Sequence, residues 1–225
     1  MPDFRDFHPI GRIKVNSGRL KVDIPENLLW TVFDLILSAW PNVVADKTVS
    51  SQSKEDEITD MLVDRVYAEK ERRELDNIDF ERESQSNLAH DPLPLGYIDV
   101  KVSYNQWRKT DYFAIECKKV SATQQTLAKA YVDNGVVRFV SEKYSSAHPW
   151  GGMIGYLIDG DEMPCALLLE RTLASHNTTA TNTRRPWARE TRFSNYPHCY
   201  SSDHQQQTCG KIITLLHILL AFPQR

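Results

Sequence analysis

The sequence lacks the marks of an exported or disulfide-stabilised protein. Its first fifteen residues contain no apolar stretch of the kind found in signal peptides. The longest apolar run near either end, residues 212–222, is interrupted by Thr214 and His217 and is too short to cross a bilayer. The four cysteines do not have the spacing of a disulfide framework: Cys117, Cys165, Cys199 and Cys209. We therefore expect a cytoplasmic protein with reduced thiols and no membrane association.

The chain also lacks an internal repeat, a linker between independent domains and a large excess of one charge. Its net charge is -3, but residues 1–98 carry 12 Lys and Arg against 19 Asp and Glu, whereas residues 99–150 carry 8 against 5. A local basic surface is compatible with binding a polyphosphate. We expect one domain over residues 1–225, in which an N-terminal arm and helix (1–50) precede a core (54–160) and a C-terminal helix, basic loop and apolar element (161–225).

Apolar periodicity divides the chain into helices and strands. Helices are predicted from Pro25 to the residue before Pro41, from a Ser53 cap to residue 75, and at 124–132 and 162–175. Strands are predicted at 78–84, 97–104, 111–120 and 153–158. Residues 136–146 fit a helix or an irregular turn, residues 176–186 an exposed loop, and residues 211–222 either a strand or a buried helix.

The most informative stretch is Gly96–Val120, GYIDVKVSYNQWRKTDYFAIECKKV, which reads as two strands. The first carries Asp99, and the second carries Glu116 and Lys118 two residues apart. Because side chains alternate along a strand, Glu116 and Lys118 share one face, and Cys117 points to the other, towards a core. Charged groups are almost never buried unpaired, so this pattern indicates a partner for the acids.

A hard divalent cation is the partner that we expect. Mg²⁺ or Mn²⁺, held by Asp99, Glu116 and the backbone carbonyl of Cys117, would neutralise a phosphodiester and activate water. Lys118 would orient or deprotonate that water, or stabilise the developing negative charge. Glu-x-Lys alone is common by chance, and alternation along an edge strand also explains it.

These motifs resemble those of the PD-(D/E)XK nuclease superfamily. IDV at 98–100 resembles its first signature, with Ile98 where the name-giving Pro stands, and IECKK at 115–119 matches the second. The resemblance covers roughly residues 54–160. It implies an α/β restriction-endonuclease-like fold with a mixed central sheet flanked by helices and an αβββαβ core. It also implies a divalent-metal-dependent nuclease acting on DNA, with a role in restriction or anti-phage defence by analogy.

The resemblance further implies supporting residues around the three central ones. Gln125, beside Gln124, and Tyr131 resemble the Gln and Tyr that many members place beside the site. Glu57 resembles the acidic residue often contributed by the first core helix and would be a further metal ligand, although its spacing alone favours a surface Glu near the helix dipole. The candidate nucleic-acid-binding residues are Lys119, Arg138, Lys143, Arg184 and Arg185.

Three alternatives remain open on the sequence. The first is a structural zinc site, since softer ligands gather near the C-terminus: His198, Cys199, His204, Cys209 and His217. The second is a Cys–His nucleophile formed by Cys117 and His148. The third is a nuclease fold that is idle or activated by a partner, which serves for nucleic-acid binding or assembly, as a homodimer or with another protein through the apolar face of residues 28–37.

Overall fold

The structure is a computed structural model that describes residues 26–86, 96–105, 107, 111–145, 148–176, 178–193 and 198–223. The predicted N-terminal arm and the loop that precedes Gly96 lie outside these residues. The helices of the described part are α1 (Glu26–Asp46), α2 (Glu55–Arg72), α3 (Gln125–Tyr131), α4 (Val137–Val140), α5 (Glu162–Ser175) and α6 (Thr178–Thr181). A π-helix, Val132–Val136, joins α3 to α4, and a 3₁₀ turn spans Thr191–Phe193.

The strands form one mixed sheet of seven within the described residues. They are β1 (Ile78–Ser86), β2 (Gly96–Tyr104), β3 (Phe113–Val120), β4 (Trp150–Leu157), β5 (Thr183–Arg189), β6 (Cys199–Gln205) and β7 (Ile212–Ala221). Their order across the sheet is β1-β2-β3-β4-β7-β6-β5. The neighbours β3 and β4, and β4 and β7, are parallel, and the other neighbours are antiparallel. The protein is therefore an α/β protein whose mixed sheet is flanked by helices.

Helices cover both faces of the sheet with two apolar layers. On one face α1 and α2 pack through Leu29, Phe33 and Ile58 against β3 residues such as Ile115. On the other face the segment from α3 to α5 packs against residues that include Met153. Because both faces of the inner strands are covered, β4 is continuously apolar, as expected for a parallel strand buried on both sides.

Helix α1 continues through Pro41, although it was expected to stop before this proline. A proline inside a helix removes one backbone hydrogen bond. Burial on either side of it, at Ala39, Trp40 and Val43, stabilises the continuation. Helix α1 also has the length and apolar composition of a membrane-spanning helix, with a mean hydropathy of 1.5. Half of the 18-residue apolar segment that gives α1 this composition is buried inside the protein, as in a core helix.

The C-terminal part departs most from the sequence expectation. The predicted loop at 176–186 instead contains α6 and the start of β5, and β6 was not predicted. Strand β5 lies at the edge of the sheet, where Pro186 and arginines are tolerated because one side makes no ladder. The apolar segment that fitted either a strand or a helix is strand β7.

Candidate metal and catalytic site

The candidate site lies where strands β2 and β3 separate. Their pairing ends at Val100 opposite Ile115, one residue before Asp99 and Glu116 would face each other. The Cys117 backbone N–H lies beyond the backbone pairing with β2 and donates instead to the side chain of Asp99, at 2.7 Å from Oδ2. The carboxylate therefore takes the place of a backbone acceptor, which fixes its orientation. Asp99 and Glu116 lie on adjacent strands, as predicted.

The side chain of Lys118 lies among the acids. Its Nζ is 2.7 Å from Glu116 Oε1, 2.8 Å from Glu55 Oε1 and 3.5 Å from Asp99 Oδ2. It also donates to the backbone carbonyl of Cys117 at 2.5 Å. We call Lys118 and these four oxygen-bearing groups the lysine cage. The structure thus brings together the three central residues of the sequence hypothesis.

Glu116 is the most buried member of the cage, with a side chain that is 0% exposed. Burial, together with the negative charge of Asp99, raises its pKa to about 7, although Lys118 and Arg138 act in the opposite direction. Both cations contact Oε1, and Oε2 is a buried oxygen without a hydrogen-bond partner. An unpartnered oxygen on a buried carboxylate is unusual and marks a position that a further ligand could fill.

Two opposing effects act on Lys118. Burial lowers its pKa, because the charged form is desolvated, but the charges of Glu116, Asp99 and Glu55 outweigh this effect. The net pKa is raised, so Lys118 is an ammonium in this arrangement. An ammonium has no lone pair to accept a proton, so Lys118 cannot deprotonate water in this arrangement, which was one of the roles expected from the sequence.

The third carboxylate belongs to Glu55, and Glu57 lies elsewhere. Glu57 is exposed, and its Oε2 accepts from the Lys54 N–H at 2.9 Å at the start of α2. Glu55 reaches Lys118 and also accepts from the Lys119 backbone N–H at 2.9 Å. The contact of Glu57 with the central acids that its expected role requires is therefore missing here, and Glu57 as a metal ligand stays a prediction. Helical spacing could have identified Glu55, which lies three residues before the buried Ile58.

Arg138 is part of the site instead of an open nucleic-acid surface. Its Nη1 donates to Glu116 Oε1 at 2.6 Å and to the Tyr144 hydroxyl at 2.8 Å. The π-helix precedes α4, which carries Arg138, and brings Gly135 close to Lys118. π-Helical turns often occur at functional sites. The only sequence signal for this role is a single arginine in the apolar run VVRFV.

Gln125 and Tyr131 do not contact the cage. Gln125 is exposed, and its side-chain amide donates to Thr172 Oγ1 on α5 at 2.9 Å. Tyr131 is buried, and its hydroxyl contacts His217 Nδ1 at 2.9 Å. Both supporting roles implied by the resemblance therefore lack the expected contacts here. Gln124 instead bonds to Asp159 Oδ2 at 3.0 Å.

Tyr131 begins a buried polar chain that continues through His217, Ser202 and His204 to the Thr181 carbonyl. Burial lowers the pKa of His204 to about 4 and that of His217 well below its usual value, so both rings are neutral. A carbonyl can only accept, so His204 Nδ1 donates to Thr181 at 2.7 Å and its Nε2 accepts from Ser202 at 2.8 Å. Ser202 then accepts from His217 Nε2, and Tyr131 donates to His217 Nδ1.

The other candidate nucleic-acid-binding residues are dispersed. Lys119 donates from Nζ to the Ser53 carbonyl at 2.8 Å, and Lys143 is partly exposed and lies against Gly96. Arg185 pairs with Asp203 at 2.8 Å, whereas Arg184 is exposed on β5 and bonds to Gln205. These side chains do not form one continuous cluster with the cage, and their role in binding nucleic acid stays a prediction.

The softer ligands are also separated. Cys199 is buried in the apolar layer beneath α1, Cys209 is exposed, and His204 and His217 are joined through Ser202. Among the residues that the structure describes, no three His, Cys, Asp or Glu side chains form a ready-made metal-binding group.

A Cys–His nucleophile finds no support either. Cys117 packs in the layer under α1, as predicted, and burial raises the pKa of its thiol. His148 lies against Tyr112, which belongs to the apolar layer on the other side of the sheet. The thiol and the imidazole are thus on opposite faces.

The oxygens of the cage are of the type that suits the divalent ion implied by the resemblance, although Glu55, Asp99 and Glu116 are not grouped as a metal site in this arrangement. The donor set consists of oxygens only, from Asp99, Glu116 and the Cys117 carbonyl, and Glu116 Oε2 is buried without a partner. Oxygen ligands of this type suit Mg²⁺ and Mn²⁺. In the present arrangement the Lys118 ammonium lies between the acids.

Comparison with known proteins gives no relative from which a role could be transferred. No family model, characterised protein or solved structure matches this chain.

Proposed function

We propose that this protein is a divalent-metal-dependent nuclease that hydrolyses phosphodiester bonds in DNA. The observation that carries the proposal is the convergence of Asp99, Glu116 and Lys118 where β2 and β3 separate. Two carboxylates at such a position can hold a metal ion, and a lysine beside them can stabilise negative charge in metal-assisted phosphodiester hydrolysis. They are brought together from two strands, as the sequence motifs predicted.

The order of elements supports the same proposal. Along the chain α2, β1, β2 and β3 are followed by the helical segment from α3 to α4 and then by β4, which lies parallel to β3. This is the αβββαβ order of the restriction-endonuclease-like core, with the acid on its second strand and Glu-x-Lys on its third. We propose that the fold is of this type.

The residues at the centre of the site have distinct roles in the proposed reaction. Asp99, Glu116 and the Cys117 carbonyl would hold the Mg²⁺ or Mn²⁺ ion, which would lower the pKa of bound water and neutralise the phosphate. Lys118 would orient the attacking water and stabilise negative charge on the phosphate. Arg138 holds Glu116 through Oε1. Exposed basic residues such as Arg184 would contact the nucleic-acid backbone.

One observation favours a second candidate, a fold that is idle or activated by a partner. The carboxylates of the cage are already paired with cations of the chain itself, Lys118 and Arg138. A nucleic-acid-binding or assembly module with such a filled site would bind DNA without cutting it. Membership of a restriction or anti-phage system would suit either candidate.

Cleavage assays separate the two candidates. Supercoiled DNA, linear DNA, single-stranded DNA and RNA are each incubated with the purified chain and Mg²⁺ or Mn²⁺, with EDTA as the control. We expect nicking or degradation of DNA that EDTA stops, and loss of cleavage in Glu116→Gln and Lys118→Ala. Cleavage that survives both substitutions contradicts the nuclease assignment, whereas binding without cleavage by the wild-type protein supports the second candidate.

A further inference from the structure

The Lys118 ammonium has the surroundings of a bound metal ion. Four oxygen atoms from four residues lie within 3.5 Å of Nζ, namely those of Glu55, Asp99, Glu116 and the Cys117 carbonyl. Three of these groups are the ones that would ligate Mg²⁺ in the proposed function. The lysine and the metal would therefore use the same oxygens.

The charges of the cage are not balanced by the lysine. Glu55, Asp99 and Glu116 supply three carboxylates, whereas Lys118 and Arg138 supply two cations in contact with them. Buried charge of one sign is costly unless it is compensated. With all three acids ionised, the cage therefore favours a cation with a charge greater than that of an ammonium.

The hydrogen bonds of Glu116 lead to the same conclusion by a separate route. Lys118 and Arg138 both contact Oε1, and the buried Oε2 is left without a partner. An ammonium at the observed position satisfies one oxygen of this carboxylate and not the other. The site is thus occupied by a cation that fits it incompletely.

We propose that the Lys118 ammonium is a built-in occupant of the cation position, and that a divalent ion binds by displacing it. Glu55 Oε1 remains as the partner of the displaced ammonium, because it already lies 2.8 Å from Nζ and comes from α2, outside the strands that hold the other acids. The inference rests on the proposed function in so far as a divalent ion works at this site. It assigns Lys118 a second role, that of weakening metal binding in the resting protein.

Mn²⁺ titration of the full chain by calorimetry tests this role without measuring cleavage. Lys118→Gln removes the competing charge, so we expect Mn²⁺ to bind at least about tenfold more tightly than to the wild-type protein. The metal-free variant should also have a lower melting temperature, and Mn²⁺ should raise that temperature more than in the wild type. If Lys118→Gln does not fold without metal, Mn²⁺-dependent recovery of the folded state, followed by circular dichroism, gives the same information.

Lys119→Gln is the matched control, because the neighbouring ammonium bonds to the Ser53 carbonyl and not to a carboxylate. Its Mn²⁺ affinity should equal that of the wild type. Equal or weaker binding by folded Lys118→Gln overturns the displacement proposal, and DNA cleavage by the wild type would then still support the nuclease. If Lys118→Gln binds Mn²⁺ more tightly and the wild-type protein does not cleave DNA, the result would support displacement and contradict the nuclease assignment.

Discussion

The Asp99 carboxylate accepts a hydrogen bond from the Cys117 backbone N–H at 2.7 Å, at a point where their strands have ceased to pair. One acid thus has two tasks, because it continues the connection between β2 and β3 and faces the Lys118 ammonium at 3.5 Å. The two tasks can be separated by substitution, since only one of them requires a negative charge.

Asp99→Asn should abolish metal-dependent cleavage and leave stability near that of the wild type, because the amide oxygen still accepts from Cys117. Asp99→Ala should also be inactive and should lower the free energy of unfolding by about 1–3 kcal/mol, because it leaves the Cys117 N–H without an acceptor. Urea denaturation and a plasmid-nicking assay measure the two effects. Equal destabilisation by both substitutions would show that the hydrogen bond contributes nothing.

Substitutions of Glu55 and Glu57 test which acid of α2 contributes to the site. Glu55→Gln removes the charge that holds Lys118, and we expect the cleavage rate to fall about 10–100-fold, as for other groups that orient a metal site. Glu57→Gln keeps an oxygen for the Lys54 N–H, and its rate should stay within about twofold of the wild type. A larger effect at Glu57 than at Glu55 in single-turnover assays would contradict this placement.

Tyr131 should matter for stability and not for chemistry. Tyr131→Phe leaves His217 Nδ1 without its donor inside the protein, which should lower the free energy of unfolding by about 1–3 kcal/mol. Single-turnover cleavage at a temperature where the variant stays folded should match the wild type. Gln125→Ala, which loses one exposed contact with Thr172, is the control and should change stability by less than about 1 kcal/mol.

The buried histidines should make the protein less stable in acid. Burial lowers the pKa of His204 to about 4, below the ordinary value of 6.5, so between these values the unfolded chain binds a proton that the folded chain does not. The free energy of unfolding should therefore fall as the pH falls below about 6.5. Below about pH 4 both the folded and the unfolded chain bind this proton, so His204 should add no further pH dependence. Between these two pH values, the lowered pKa of His204 should reduce the free energy of unfolding by about 3 kcal/mol in total.

Urea denaturation at several pH values between 7.5 and 4.5 measures this dependence. His204→Gln should show a shallower dependence than the wild type, although it is less stable at pH 7.5. His217, whose pKa is also lowered by burial, keeps part of the slope in this variant. Identical slopes for the variant and the wild type would mean that His204 is not buried as a neutral ring.

The centre of the site could be predicted because it depends on local spacing. Alternation along β3 fixes Glu116 and Lys118 on one side and Cys117 on the other, whatever the rest of the chain does. Glu55 could also have been predicted, because it lies three residues before the buried Ile58 on the same side of α2. Glu57, two residues further along the helix, is turned away from Glu55 by more than half a turn.

Arg138 and the C-terminal strands could not be predicted by the same rules. A π-helix inserts an extra residue into a turn, so the 3.6-residue period that locates side chains fails between Tyr131 and Arg138. Strand β6 carries Ser202 and His204 into the interior, where an alternating pattern of apolar residues would be expected. Its polar side chains are buried because His217 on β7 and the Thr181 carbonyl, both outside the strand, supply their partners.

The order of strands has a consequence for the newly synthesised chain. All members of the lysine cage, together with Arg138, precede β4, and β5, β6 and β7 all lie beyond its other side. A nascent chain that has emerged from the ribosome only as far as residue 157 thus carries the whole site, but the edge of β4 that later pairs with β7 is bare and apolar. Such an edge favours pairing with other chains, so slow translation of the last third should increase aggregation.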